Sequence, residues 1–371
     1  MIMAHRSISI AICVLTAILC TRSLSAADST IAIRTQPEKV YVERSGESQY
    51  FVFAFSLSNN GDQAVKIVEL RMMAYDAQGI LLNSSKVDSN GGRPSIEVLG
   101  PRQLEAHKAL TVFNPFDQLT TARPVATLRY EFDFAAEKER TTVPIEVKPA
   151  EYVQKTSLTC PAPGNRVWAY ETPGFYSHHS RIDLNDEFTR DVMKMRKNSQ
   201  RYAVDLVVVN EKGDAAHGDD NIKENWLGYG STIVAPGTGI VVATENGQPN
   251  EMDFDQSKLL DPKVFVGNYV VIDHGNGEFS AMGHLKQGSI LVKPGDHVRK
   301  GQVIAQMGRS GMGSGLIHVH YQLQDGPDLF DSEALPFRFD AVRPIGALVF
   351  QSQRISPGMV FDTPVQTKMN K

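Results

Sequence analysis

The chain has 371 residues, of which 42% are hydrophobic and 22% are charged. This is the composition of an ordinary globular protein that can bury sizeable cores, and it excludes disorder throughout the chain. The net charge of −4 is small, so no overall basic surface predicts binding to nucleic acid or to an anionic membrane.

Residues 1–27 are predicted to be a signal peptide. A basic start is followed by an apolar run from Ile8 to Cys20 and then by small residues through Ala27. The run is shorter than the ~20 residues that span a bilayer, so we expect export to the periplasm or the cell exterior and no membrane span in the mature chain. Cys160 is then the lone cysteine, and an internal disulfide is excluded.

Residues 28–150 consist of short alternating segments such as YFVFAFSLS and VKIVELRMMAYD, separated by turn sequences such as NNGD. Alternation with a period of two and frequent turns predict an antiparallel β-sandwich of the Ig-like type. The segment carries no cluster of His, Asp and Glu. We therefore expect a spacer or docking module, through which a protein partner could bind.

Residues 151–185 are rich in proline, threonine and glycine and are predicted to be a linker. The doublet His178 and His179 also makes this segment a candidate ligand loop. A helix is predicted over Asp186 to Lys197, because acidic residues suit a helix N-terminus. The rest of the domain, residues 186–371, has apolar runs separated by glycines, a pattern typical of antiparallel hairpins.

Candidate chemistry begins with the strand-like phrase IHVHYQLQD, which carries His318 and His320. Positions i and i+2 of a strand share a face, so the two imidazoles are expected side by side. Asp205 lies in the apolar phrase RYAVDLVVV, where a buried carboxylate needs a cation or hydrogen bonds. Two histidines and one aspartate satisfy a hydrolytic zinc, which keeps one position open for water. A structural pair satisfied by backbone carbonyls is an alternative that spacing leaves open.

Five phrases follow one another between Tyr202 and Leu335: YAVDL, GSTIVAPGTGIVVA, GNYVVIDHGNGEFSAMGHL, ILVKPGDHVRKGQVIAQMGRSG and HVHYQLQDGPD. In these phrases the chain resembles the lysostaphin-type (LytM-like) zinc endopeptidases that act on peptidoglycan. The resemblance implies a C-terminal antiparallel β-groove peptidase domain, a Zn²⁺ cofactor and peptidoglycan peptides as partners. It further implies that Asp205 and His320 are zinc ligands and that His284 and His318 are catalytic.

One position departs from the family. Its first zinc histidine would fall four residues before Asp205, where this chain has Arg201. Arginine is not expected to bind a cation, because it stays charged in proteins. In a family branch with the phrase QRYAxD, an upstream HxR phrase replaces that histidine, and HSR from His179 is similar to it. The resemblance thus implies His179 as the third ligand, with His178 and His217 as alternatives.

Together these features predict a secreted zinc-dependent endopeptidase that hydrolyses peptide bonds in peptidoglycan stem peptides or cross-links. The replaced first histidine supports an alternative, a degenerate protein that binds peptidoglycan or regulates an amidase without catalysis. Inward-facing polar groups cost stability when they are unpaired. Retention of the other four site residues therefore favours the enzyme.

Overall fold

Strands dominate the secondary structure. The computed structural model describes residues 30–137, 139–251, 262–312 and 315–364, and the regular elements in these ranges are nearly all strands. The mostly-β prediction is confirmed, whereas the predicted signal peptide, residues 1–27, lies outside the described residues. The strands are β1 (Ile31–Gln36), β2 (Tyr41–Ser45), β3 (Ser48–Tyr50), β4 (Ala54–Asn59), β5 (Val65–Tyr75), β6 (Leu81–Asp88), β7 (Gln103–Leu104), β8 (Ala109–Phe113), β9 (Gln118–Thr120), β10 (Thr127–Ala136), β11 (Glu139–Val147), β12 (Ala150–Glu151), β13 (Arg166–Glu171), β14 (Val204–Val208), β15 (Thr232–Val234), β16 (Gly239–Glu245), β17 (Asn268–Asp273), β18 (Phe279–Leu285), β19 (His297–Val298), β20 (Val303–Gln306), β21 (Val319–Gln324), β22 (Phe339–Pro344), β23 (Gln351–Gln353) and β24 (Val360–Asp362).

Helices in the described ranges are short. They are α1 (Pro262–Val266), two 3₁₀ turns (Ser95–Leu99 and Lys223–Asn225) and one π-helical turn (Phe188–Val192). The helix predicted over Asp186 to Lys197 is wrong: only the π turn is helical, and Lys194 just after it has a positive φ of 57°. A left-handed residue of this kind ends a helix. None of the described helices has the length and apolar composition needed to cross a membrane.

The N-terminal part of the described chain forms three small sheets. One antiparallel sheet has the order β1-β4-β8, and a second has the order β11-β10-β5-β6, with β7 paired to β5. The third has the order β12-β2-β3-β9, and β12 joins it in parallel. Fully buried aromatic rings pack edge to face here, with the Phe55 centroid 4.8 Å from that of Tyr130 and 5.0 Å from that of Phe132. The Ig-like type of residues 28–150 stays a prediction.

A ten-stranded sheet organises the C-terminal part. Its order is β19-β16-β17-β18-β21-β14-β13-β24-β22-β23, and β15 pairs separately with β20. β13 lies inside residues 151–185, the predicted linker, yet it pairs antiparallel with both β14 and β24. Part of that segment is therefore a strand of the sheet. The limits predicted for the flanking domains, 28–150 and 186–371, stay predictions.

Two hydrophobic cores support these two parts. Buried residues between Ile31 and Val147 form one core, and buried residues between Leu158 and Phe361 form the other. In the second core β14 contributes Leu206 and β21 contributes Tyr321, both fully buried. Successive strand residues point to opposite faces. Burial of these two side chains therefore turns the neighbouring Asp205 and His320 towards the opposite face of the sheet.

Glu278 fastens the segment after β12 to the hairpin between β17 and β18. Its carboxylate is fully buried and accepts hydrogen bonds from the Tyr152 hydroxyl at 2.6 Å and from the backbone N–H groups of Lys155 and Thr156 at 2.7 Å. Burial alone would raise the pKa of Glu278, but the hydrogen bonds from Thr156, Tyr152 and Lys155 outweigh it and lower the pKa.

We expect Glu278→Gln to lower the free energy of unfolding by about 2 kcal/mol at neutral pH, because the Thr156 N–H loses its charged acceptor. Since the folded-state pKa is lowered, the carboxylate stabilises fully above the unfolded pKa of about 4.3 and loses this effect as the pH falls through the folded pKa. In denaturant titrations, the difference in the free energy of unfolding between the wild type and Glu278→Gln should therefore shrink as the pH is lowered. Glu211→Gln, at an exposed turn, is the control and should stay within about 0.5 kcal/mol.

Candidate metal centre

Strand register brings two predicted site residues together. Asp205 on β14 pairs directly with His320 on β21, and His320 pairs with Gly283 on β18. Residues that lie opposite each other on adjacent strands share a face. The sheet therefore presents Asp205 and His320 side by side, with His284 following Gly283 at the end of β18.

Three imidazoles surround the Asp205 carboxylate. Its Oδ1 lies 3.1 Å from His320 Nδ1 and 3.5 Å from His318 Nε2, and its Oδ2 lies 3.6 Å from His179 Nε2. All four side chains are almost completely buried. Donor atoms of His179, Asp205 and His320 lie within 4.8 Å of one another, a spacing suited to a shared metal ion.

His179 reaches this cluster from an irregular segment, residues 172–185, which we call the His179 loop. The side chain of His179 is 5% exposed, whereas that of His178 is 57% exposed. His178 turns to Glu171 instead, with Nδ1 3.5 Å from Oε2, and this carboxylate raises the pKa of His178. His217, the other alternative, is not part of any group of side chains spaced to share a metal ion among the described residues.

Electrostatics fit a cation at this position. The Asp205 carboxylate is almost completely buried, and ring nitrogens of His179, His318 and His320 surround it. Burial holds the pKa of His179 well below its usual range, so this imidazole is neutral. Its buried Nδ1 has no hydrogen-bond partner, and its Nε2 is too far from Asp205 for a hydrogen bond. A cation between Asp205 Oδ2 and His179 Nε2 would satisfy the carboxylate and the neutral imidazole together.

A chain of amides orients His320. Its Nε2 lies 2.8 Å from Gln322 Oε1, the Gln322 amide nitrogen donates to Gln324 Oε1, and Gln324 donates to the carbonyl of Gly326 at 2.7 Å. Because the last acceptor is a backbone carbonyl, the direction of every amide is determined, and Nε2 of His320 must carry the proton. Nδ1 of His320 lies 3.1 Å from Asp205 Oδ1, and in the neutral ring this atom carries the lone pair that a metal ion would bind.

Gln322 and Gln324 were not among the predicted site residues. The alternation that pairs His318 with His320 continues through Gln322 and Gln324, so the signal was present in the phrase HVHYQLQ. Both amides are buried, which means that an unpaired side chain would be costly at either position. They are best understood as supports of His320.

His284 and His318 are held in one orientation by backbone carbonyls. His284 Nδ1 lies 2.8 Å from the carbonyl of Ser310, and His318 Nδ1 lies 3.0 Å from that of Leu316. Carbonyls only accept, so both Nδ1 atoms donate, and the lone pair of each ring in its neutral form is on Nε2. Burial, followed by His318 and His320, lowers the pKa of His284 to about 3. His284 is therefore neutral and able to accept a proton.

Backbone geometry at His284 is unusual. Its φ of 59° lies in the left-handed region, which non-glycine residues seldom adopt. The Ser310 carbonyl, which accepts from His284, lies where the segments around Gly267 and Gly311 pass close to each other. A Cβ atom at Gly267 would come within 2.4 Å of Ser310, and one at Gly311 within 2.4 Å of Gly267. Strained residues of this kind cluster at functional sites, where surrounding structure maintains them.

These side chains line a cavity of about 220 Å³. His178 and Gln200 complete its polar lining, and Phe265, Val266 and Met312 form an apolar wall. Arg201 does not line this cavity. It is buried and pairs with Glu333, with Nη2 3.3 Å from Oε1. The cavity combines side chains at a spacing suited to a metal ion, two oriented imidazoles and an apolar surface, which is the arrangement expected of a hydrolytic site.

Residues 227–332 match the model of Peptidase family M23. The chain contains an M23 peptidase domain. The matched segment includes His284, His318 and His320, whereas Asp205 and His179 precede it. This match agrees with the resemblance to lysostaphin-type enzymes seen in the sequence phrases.

One relative with a curated description is the peptidoglycan DD-endopeptidase ShyA of Vibrio cholerae serotype O1. It is 36% identical to this chain over 94 residues, which are 25% of this chain and 17% of ShyA. The match therefore spans about a sixth of that relative.

Solved structures of M23 proteins are also similar. The catalytic domain of the prophage-encoded protein EnpA from Enterococcus faecalis is 18% identical, with a TM-score of 0.28, and the match covers 47% of this chain and 94% of that one. The catalytic domain of lysostaphin from Staphylococcus simulans is 17% identical, with a TM-score of 0.25 and coverages of 46% and 88%.

Proposed function

We propose that this protein is an exported zinc-dependent endopeptidase that hydrolyses peptide bonds in peptidoglycan. The observation that carries the proposal is the buried Asp205 carboxylate, which faces the unpaired imidazole of His179 and the oriented Nδ1 of His320. The match of residues 227–332 to Peptidase family M23 and the described activity of ShyA support a peptidoglycan substrate. Export is proposed from the N-terminal sequence alone.

The proposed metal ligands are His179, Asp205 and His320. Two imidazoles and one carboxylate form a ligand set that suits zinc and leaves a position open. Zinc bound there supplies Lewis acidity, which polarises a carbonyl and makes water easier to deprotonate. Arg201, at the usual position of the first histidine, is neutralised by Glu333, and His179 takes over that function from the loop.

His284 and His318 are the proposed catalytic residues. Their rings lie 4.7 Å apart, and because a backbone carbonyl holds each Nδ1–H, the neutral ring has its lone pair on Nε2. One Nε2 accepts the proton of the attacking water and then, as N–H, faces the oxyanion or the leaving amine. The apolar wall of Phe265, Val266 and Met312 limits water at the reacting bond.

Digestion of purified murein tests the proposal. We expect the zinc-loaded protein to release muropeptides with newly cleaved peptide bonds, identified by mass spectrometry. Removal of the metal with a chelator should abolish the release, and added zinc should restore it.

The alternative is a degenerate protein that binds murein or regulates an amidase without catalysis. Its expected result is murein in which every peptide bond stays intact while the protein sediments with the insoluble polymer. That outcome with a zinc-loaded sample would contradict the enzymatic proposal.

A further inference from the structure

The His179 loop is irregular, yet it holds His179 in a buried position. β13 ends at Glu171, the next helical turn begins at Phe188, and the residues between them have no regular backbone hydrogen-bond ladder. An irregular surface segment takes its position from tertiary contacts, and without them it opens locally at little cost. Yet His179 is almost completely buried against Asp205.

On its inner side the loop contacts the segment that leads into β14. The Asn198 side chain donates to the carbonyl of His179 at 2.9 Å, and the Ser180 hydroxyl donates to the carbonyl of Arg201 at 2.8 Å. These bonds hold the backbone next to His179. They do not hold the two ends of the loop.

The N-terminal sheets hold the first end. Asp117, between β8 and β9, accepts a hydrogen bond from the backbone N–H of Phe175, with Oδ2 at 2.7 Å. The guanidinium of Arg181 lies 4.9 Å from the ring centroid of Phe113 and 4.8 Å from that of Phe175, which joins β8 to the loop by cation–π contacts. Both contacts cross between the N-terminal part and the loop.

The same sheets hold the second end. Thr111 on β8 donates through its hydroxyl to Asp183 Oδ1 at 2.5 Å and accepts from the Asn185 amide at 2.8 Å. The Asn185 amide also donates to the Ser56 hydroxyl on β4 at 3.2 Å. Thr111 is buried, so these bonds are formed in a site with little access to water.

A buried ion pair adds a third connection. Arg354 donates to the carbonyl of Pro173 at 2.8 Å, and its Nε donates to Glu43 on β2 at 3.2 Å. Arg354 and Glu43 are 2% and 8% exposed. The loop is therefore connected to β2, β4 and β8, which all belong to the N-terminal sheets.

We propose that the N-terminal sheets are a positioning part of the metal centre, with Asp117 and Thr111 as the positioning residues that hold the loop so that His179 faces Asp205. This inference rests on the proposed function, because it assumes that His179 binds the metal. It assigns to the N-terminal part a function in the site itself, in addition to any binding of partners. It also explains how a ligand absent from the usual position four residues before Asp205 can be supplied from a loop.

The test uses the full chain with Asp117→Ala and with Thr111→Val, which keeps the volume of the side chain and removes both hydrogen bonds. Asp76→Ala is the matched control, because Asp76 is also buried in the N-terminal sheets and accepts backbone N–H bonds from Gln78 and Ile80 at 2.9 and 2.8 Å. Hydrogen–deuterium exchange of the His179 loop is measured without metal. Zinc affinity is measured by chelator competition, and the visible spectrum is recorded after loading with Co²⁺.

We expect both variants to exchange faster in the His179 loop, to bind zinc about 10–100-fold more weakly and to show an altered Co²⁺ spectrum. Asp117→Asn, which keeps an acceptor oxygen, should recover most of the affinity. Asp76→Ala should lower stability while leaving loop exchange and zinc affinity unchanged.

Unchanged loop exchange in both variants would overturn the inference, and so would faster exchange with zinc affinity within twofold of the wild type. An equal loss of affinity in Asp76→Ala would also overturn it, because the effect would then be general destabilisation. A wild-type protein that binds no zinc would instead contradict the proposed function, together with this inference, and is recognised before any variant is compared.

Discussion

His179→Ala is expected to abolish stoichiometric zinc binding, whereas His178→Ala should retain it. His179 offers a neutral, buried imidazole 3.6 Å from Asp205, while His178 is mostly exposed and directed to Glu171. Loss of a ligand should weaken zinc binding by more than the ~100-fold that loss of a ligand's hydrogen-bond partner costs. Murein hydrolysis should fall in parallel. Zinc analysis after dialysis and chelator competition measure the effect.

The two adjacent variants form a matched pair, because both remove an imidazole from the same irregular loop. If His178→Ala lost zinc and His179→Ala retained it, the assignment of the third ligand would be reversed. If both retained zinc at wild-type affinity, the loop would not contribute a ligand, and the proposed site would be wrong.

His284→Asn should lower the rate of murein hydrolysis by roughly 10²–10⁴-fold while zinc remains bound, since this is the usual contribution of general acid–base catalysis. Asparagine is chosen because it tolerates a left-handed backbone better than most residues, and His284 has a φ of 59°. The substitution removes Nε2 as a proton acceptor. Initial rates on murein, with zinc content and thermal unfolding of the same samples, separate catalysis from folding.

His297→Asn is the control, because His297 is exposed on β19 and does not line the cavity. Its rate should match that of the wild type. A His284→Asn rate within threefold of the wild type would show that His284 does not transfer a proton. Loss of zinc from His284→Asn would show that this residue supports the metal centre instead.

The sequence by itself determined the mostly-β class and the candidate site residues in strand-like phrases. An alternation with a period of two indicates which side chains share a face, so HVHYQLQ predicts the adjacency of His318 and His320, and RYAVDLVVV predicts an inward-facing Asp205. These features are local. They depend on the geometry of a strand and on the cost of burying a charge, and both can be derived from a few residues.

Only the tertiary structure decided which histidine of the loop approaches Asp205. His178 and His179 are adjacent in a segment without a helical or strand period, so no local rule distinguishes them. The predicted helix over Asp186 to Lys197 failed and the strand β13 was missed for a related reason, since contacts with distant strands outweigh weak local propensities. The loop is held by β2, β4 and β8, which are far from it in sequence, and with that long-range packing His179 faces Asp205 while His178 faces Glu171.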